Sequence, residues 1–358
     1  MRARWAGFSR WMRHRRLVAG AGLILLFVLG ALFADFLAPY PPEAQDREHF
    51  HAPPTPLHFT DQSGARRWRP IVHATQLADR LEMNYVADPA QAFPVRFFVA
   101  GEPYRLLGLI PCRVRLFGVD EPARLFLLGS DSLGRDVFSR VLYGARISLA
   151  IAAASLCLAF PLALVIGSLA GYYGGAVDFV CMRVVELFLA LPAFYLIIAL
   201  RSALPLDLTP SHVVFAIVVM LGFFGWASLA RLVRGAVLSL REREFVLAAV
   251  ALGASDLRII ARHIAPQFAG IVFVQAALAA PGYMLAEVTL SYLGLGIHEP
   301  TASWGGMLSG QGVQSMVTFW WTLAPGAAIL VVSLGFHLLA EGLREIVDPR
   351  FRSADWAN

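Results

Sequence analysis

Long apolar runs set the terms on which this chain can fold. One extends from Leu17 to about Pro39, and five more lie near 147–170, 178–203, 212–233, 268–294 and 319–342. Each approaches or exceeds the roughly 20 residues that carry a helix across a bilayer. Hydrophobic residues make up 58% of the chain and charged residues 15%, against about 25% charged in soluble domains. The pattern predicts an all-α polytopic membrane protein with six transmembrane helices. The third run is the least regular, because Arg183, Glu186 and Pro192 fall inside it.

The charge pattern sets the expected orientation. The net charge is +5, and every basic residue is arginine; there is no lysine. A P-loop needs its lysine to reach the β- and γ-phosphates, so this chain does not carry one. Schiff-base and lysine-base chemistry are excluded on the same ground. The arginines flank apolar runs, which suits the positive-inside rule and not a nucleic-acid partner. Six lie within residues 1–16, six within 231–263, and Arg344, Arg350 and Arg352 follow the last run. Both termini are therefore expected in the cytoplasm. Ala31-Leu32-Phe33-Ala34 is loosely like a signal-peptide cleavage site, but the preceding run exceeds the usual 7–15-residue apolar core, so a retained first span is expected. Residues 1–40 then form the N-terminus and first span, 41–127 an extracytoplasmic insert, and 128–358 a five-helix membrane domain.

The insert changes character along its length. Its first part is rich in Pro, His and Asp and reads as loop. Further on, apolar residues alternate with arginines around Val95–Val99 and Arg113–Leu116, punctuated by Gly101, Gly108, Pro111 and Gly118. This predicts short strands near 95–99, 104–107, 113–117 and 124–128.

Between the fourth and fifth runs lies a polar loop near 240–263. Good helix formers run from Glu242 to Leu252, Gly253 interrupts them, and Ser255-Asp256 offers an N-cap for a second helix from Leu257 to His263. Ala248 and Ala249 would leave a small face open to another protein, with Glu242, Arg243, Glu244 and Arg258 at its rim. This loop resembles that of bacterial ABC importer permeases, Glu-Ala-Ala-x3-Gly-x9-Ile-x-Leu-Pro. The matching residues are Ala248, Ala249, Gly253 and Pro266; Leu247, His263 and Ala265 depart from it. The neighbouring Ala254, Ser255 and Asp256 belong to the same resemblance.

Two further strings agree. Leu128-Gly129-Ser130-Asp131, Gly134-Arg135-Asp136, Ser139-Arg140, Tyr143-Gly144 and Arg146 resemble the segment before the second span in dipeptide, oligopeptide and nickel permeases, with Ser130 where threonine is usual. Glu287 to Gly296, Pro300 to Gly305 and the tail Gly342 to Arg350 resemble the later parts of the same family, closest to its C-type partner. The resemblance implies the six-helix fold of ABC importer permeases. It also implies a solute pathway shared with a second permease, one or two ATPase subunits that hold ATP and Mg, and an extracytoplasmic solute-binding protein. The loop near 240–263 would couple to the ATPase, and the 129–146 signature would lie on the outer side of a bacterial inner membrane. The solutes implied are di- or oligopeptides, with nickel also known in the family. The alternative is a secondary transporter or channel without an ATPase, coupled through Glu186 or Glu287.

Other features read more plainly. Arg183 and Glu186 are spaced to pair on one helix face, and Glu287 is expected near the outer end of its span as a cap or anchor. Glu48, His49, His51 and His58 read as solvated loop residues without metal geometry. Cys157 and Cys181 read as buried small apolar groups, and Cys112 stands alone. Trp320 and Trp321 sit where interfacial belt residues would. Ser228 in Gly225-Trp226-Ala227-Ser228 lacks the elbow glycine and the His-Asp pair of a nucleophile. No catalytic constellation emerges.

Overall fold

The computed structural model describes residues 15–60, 66–79, 83–106, 108–205, 208–309 and 319–347. Helix α1 covers Arg15–Leu32, followed by a single turn, α2, at Ala34–Leu37. Five strands follow: β1 His58–Thr60, β2 Arg66–Asp79, β3 Asn84–Pro94, β4 Arg96–Leu106 and β5 Ile110–Gly118. The helical remainder begins with α3 Val137–Tyr173, α4 Gly175–Ala190, α5 Ala193–Ala203, α6 Pro210–Gly225, α7 Ala227–Arg241 and α8 Glu244–Ala251. It ends with α9 Asp256–Tyr292, α10 Trp304–Ser309 and α11 Ala324–Val347, the last entered through a tight turn at Trp320–Leu323.

Among the described residues, five helical segments are long and apolar enough to cross a membrane: α1, α3, the α6–α7 pair, α9, and the segment Trp320–Val347. The α4–α5 pair makes a sixth if taken as one span, bent by 75°. The bend has a local cause. Pro192 forces Leu191 out of helical geometry, to φ −80° and ψ 134°. Pro161 in α3 and Pro281 in α9, by contrast, leave their helices continuous. The expected 147–170 span is longer than read from its apolar part: α3 starts at Val137, so the amphipathic stretch before the span continues into it without a break.

The insert holds more β structure than its sequence announced. An antiparallel sheet β1–β2–β3 occupies residues read as loop, and β4–β5 form a separate hairpin. The two expected strands at 95–99 and 104–107 are one strand, β4. The expected strand at 124–128 is absent: Leu125 N–H donates to the Tyr40 hydroxyl (2.9 Å) and Phe126 N–H to Thr55 Oγ1 (3.0 Å). Side chains from before the sheet take the place of a neighbouring strand, and Leu125 and Phe126 are both buried. Val72, Val95, Ala123 and Leu125 form the core, flanked by Phe93, Phe117, Val119 and Leu127.

The chain divides into two compact units, one of 25–149 and 288–330, the other of the described parts of 1–24, 150–287 and 331–358. Cys157 and Cys181 are not buried as expected; Cys157 is exposed and Cys181 half-buried. A small apolar group on a membrane helix is equally at home facing outward, because the bilayer is as apolar as a core.

Candidate functional site

The signature residues of 129–146 lie in the first unit and are tied together. The turn 130–136 is closed by Asp131 N–H to Arg135 C=O (3.0 Å) and Gly134 N–H to Asp131 C=O (3.0 Å). Asp131 Oδ1 accepts the Leu133 and Arg135 backbone N–H groups, and its Oδ2 takes the Arg135 Nε (2.8 Å). Gly134 sits at φ +71°, and a Cβ there would lie 1.9 Å from the Asp46 carbonyl oxygen, so glycine is required twice over. Gly129 C=O accepts the Val137 N–H (3.0 Å), which starts α3.

Two buried arginines extend this turn. Arg135 reaches Glu299 through both terminal nitrogens (2.5 and 3.0 Å), and Arg140 places Nη2 on the same carboxylate (2.9 Å) and Nη1 on the Pro42 carbonyl (3.0 Å). The charges therefore alternate around Asp131, Arg135, Glu299 and Arg140, and half-exposed Glu299 carries the network to the surface. Tyr143 donates to Asp35 Oδ1 (2.7 Å), and Arg146 holds Asp35 Oδ2 (2.9 Å) and the Ala31 carbonyl (3.0 Å). Gly144 leaves room for Trp304, whose indole N–H donates to the Val141 carbonyl (3.0 Å).

Ser130 is fully buried. Its Oγ accepts the Ala52 N–H (2.8 Å) and donates to the His49 carbonyl, and its own carbonyl accepts the Trp321 indole N–H (3.0 Å). Trp321 is thus a scaffold residue, while its exposed neighbour Trp320 keeps the freedom a belt residue has. His49 and His51 are buried, contrary to the expectation of solvated loop histidines. His49 lies 3.1 Å from Asp46 Oδ2 and stacks beside Tyr85; His51 stacks on Phe319 at 4.3 Å. Burial lowers the His51 pKa against the opposing charge of Asp131. Among the described residues, no three His, Cys, Asp or Glu side chains converge as metal ligands.

Sequence reasoning missed Asp35, Tyr40, Asp46 and Glu299. Each has a partner far along the chain, Arg124 Nε (2.9 Å) in the case of Asp46, and one sequence alone gives no signal of such pairings.

Asp136 is fully buried. Its Oδ2 accepts the Ser139 N–H (2.9 Å) and hydroxyl (2.5 Å). Burial outweighs these hydrogen bonds and pushes its pKa up to about 7. A carboxyl in the unfolded chain titrates near pH 4. From about pH 4 to about pH 7 the folded chain keeps a proton that the unfolded chain has released, so this contribution is complete below about pH 4 and is lost as pH rises through about 7.

The loop of the second unit is built differently. Helix α8 ends in a left-handed glycine, Gly253 at φ +77°. Gly253 N–H donates to Val250 C=O (2.9 Å) and Ala254 N–H to Ala249 C=O (3.1 Å), the paired bonds of a Schellman cap. Ser255 is extended and makes no side-chain cap. The expected separate helix from Leu257 to His263 is instead the start of α9, which passes through a π-helical turn at Ile259–Ile264. That wider turn precedes Pro266, which lacks an N–H and would crowd the carbonyl four residues back in an ordinary helix. Asp256 accepts the Tyr172 hydroxyl at 3.0 Å, tying the loop to the end of α3.

The face this loop presents differs from the expected one. Ala249 is buried with Val246, on the side of α8 that packs toward the π turn. Ala248 and Glu244 are exposed, as are Gly253, Ser255, Asp256 and Pro266, and Ala254 is half-exposed. The apolar groups that project outward are Phe245, Leu247, Val250, Leu252 and Leu257, with Leu252 at 88% exposure. Small residues on α8 therefore let the loop fold on itself, and larger ones form its outer surface.

The intramembrane charges also find places. Arg183 and Glu186 pair at 2.8 Å, as their spacing requires. Glu287 lies near the end of α9 as expected, five residues before Tyr292, and is fully buried there.

The buried network can be tested by stability. Asp131→Ala removes one partner from a buried pair and should cost about 3–5 kcal/mol, read as a lowered unfolding midpoint of the detergent-purified protein; exposed Glu48→Ala should leave that midpoint unchanged. Asp136→Asn should remove the part of the midpoint loss between about pH 5 and about pH 8 that Asp136 contributes, so the variant should gain stability relative to the parent as pH rises through about 7.

The chain is similar to known transport proteins. Residues 163–353 match the family described as binding-protein-dependent transport system inner membrane component, and residues 4–54 match the N-terminal TM domain of oligopeptide transport permease C. The oligopeptide transport system permease protein OppC of Bacillus subtilis is 38% identical over 232 residues, covering 64% of this chain and 74% of the relative. The dipeptide transport system permease protein DppC of the same organism is 38% identical over 226 residues, 63% and 68% of the two chains. OppC of Haemophilus influenzae is 36% identical over 224 residues, 63% and 70%. This chain belongs to the family of inner-membrane components of binding-protein-dependent transport systems.

Proposed function

We propose that this chain is the C-type permease of an ATP-driven importer of peptides, sharing a translocation path with a second permease. One or two separate ATPase subunits hold ATP and Mg, and a solute-binding protein delivers the peptide. The chain carries no lysine and hence no P-loop. It sits in a bacterial inner membrane with both termini in the cytoplasm, as the arginine distribution favours. The relatives are named for oligopeptide and dipeptide transport, which supports the solute class.

The observation that carries the coupling role is the outward row Leu247, Val250, Leu252 and Leu257. Such a row is costly in water and marks a protein contact. It stands on a helix capped by Gly253 that packs on the π turn of α9, so a push on the row is transmitted to a membrane helix instead of being absorbed by a flexible loop. Nucleotide-driven closure of the ATPases moves these loops, and the attached helices switch the path from outward to inward access. The signature of 129–146 forms the rigid outer framework on which the binding protein docks, its half-exposed Glu299 presenting the charge network to that partner. A transporter working without an ATPase has no use for such an apolar loop surface.

Pull-down of the tagged chain from its native membrane in mild detergent should recover a second permease, P-loop ATPases and a solute-binding protein; recovery of the chain alone, even after cross-linking at Leu252, refutes the reading. Leu252→Glu should abolish ATP-driven peptide uptake while leaving the amount of membrane-inserted chain unchanged. Gly253→Val forces a β-branched residue to positive φ and should weaken uptake through the loop's shape, at a cost of about 1–3 kcal/mol to the local fold. Quantitative uptake assays alongside membrane immunoblots separate the two effects.

A further inference from the structure

Helix α4 carries three distinct flanks. Asp178 and Val185 face α7: Val185 is fully buried, and Asp178 takes Arg234 Nη2 at 2.5 Å. A second flank, Val177, Val180, Val184 and Leu187, is exposed and wholly apolar. The third is a stripe at spacings of four, three and four: Phe179, Arg183, Glu186 and Ala190, all exposed. Along it Arg183 lies over the Phe179 ring (5.3 Å) and pairs with Glu186, with side chains 68% and 59% exposed. An open groove of about 240 Å³ runs beside it, lined by Gly175, Asp178, Phe179, Arg183, Glu186 and Arg234.

These charges lie midway along α4. Asp178, in its first turn, meets Arg234 at the middle of α7. At 1.5 Å per residue, Arg183 lies about 7 Å and Glu186 about 12 Å further along α4. They are the only charged residues between Phe179 and Ala190. Ionisable side chains in the middle of an apolar membrane helix face a protein interior or water, not lipid. One flank of this helix suits lipid and is apolar; the other does not.

We propose that the Phe179–Arg183–Glu186–Ala190 stripe lines the aqueous path of the transporter and meets the charged groups of the passing peptide, a reading that rests on the permease function above. A zwitterionic peptide carries an ammonium and a carboxylate, and the Arg183–Glu186 pair offers a counter-charge to each. Phe179 offers an apolar surface beside them. The pair is net neutral, so it passes peptides of either sign without trapping them.

The test uses the assembled transporter with its native partners in proteoliposomes, in a background where Cys112, Cys157 and Cys181 are replaced by serine. Single cysteines at Phe179, Arg183, Glu186 and Ala190 are compared with cysteines at Val180, Val184 and Leu187, using a charged, membrane-impermeant methanethiosulfonate on both faces. The reagent needs a thiolate, which forms only where water reaches, so the charged stripe should react roughly tenfold faster than the apolar one. Trialanine at saturating concentration should slow that reaction. Equal, slow reaction on both flanks overturns the proposal and assigns the stripe to a dry contact with the second permease. A second readout does not depend on labelling. Arg183→Gln should raise uptake of trilysine relative to triglutamate, and Glu186→Gln should lower it, each by about threefold. An unchanged ratio in both variants overturns the peptide contact. ATP-driven uptake by the cysteine-free parent separates the two levels: without it the permease reading falls, and with it a negative result removes this inference alone.

Discussion

Charge is expensive to bury without a partner, and that constraint organises both units of this chain. In one, Asp131, Arg135, Arg140 and Glu299 alternate in sign, and both guanidinium groups reach a carboxylate. In the other, the mostly buried carboxylate of Asp178 holds Arg234. Such pairs add little net stability compared with apolar replacements of the same shape. Their value is geometric, because each fixes its segments to one arrangement.

The two candidate surfaces use opposite devices. The 129–146 signature is rigid and inward-looking: glycines admit a carbonyl or an indole, and the charged side chains are spent on the chain itself. The loop after α7 is simple in hydrogen bonding, closed by one glycine cap, and shows its larger apolar groups outward. In the proposed function these serve as a framework that holds its shape while a binding protein docks and a lever that moves with an ATPase.

The signature also explains a substitution in the chain itself. Ser130 stands where the family string leads one to expect threonine, and its hydroxyl serves as both donor and acceptor between Ala52 and His49. Either hydroxyl residue supplies that chemistry, so the change costs no hydrogen bond.

Much of the architecture was legible in the sequence, because period and polarity act locally. Apolar runs of span length, arginine-rich flanks and the turn at Gly253 each depend on a few neighbouring residues, whereas the span expected at 178–203 is bent by 75° at Pro192. The family motifs added the domain type. What tertiary structure alone decided was pairing and facing. Glu299 and Asp35 became partners of distant arginines, Ala249 turned inward while Leu252 turned outward, and the stretch before β4 became a sheet instead of a loop. The physical reason is common to all three. A strand's or side chain's partner is set by what the folded chain brings within a few ångströms, and a single sequence records the groups available but not the distances between them.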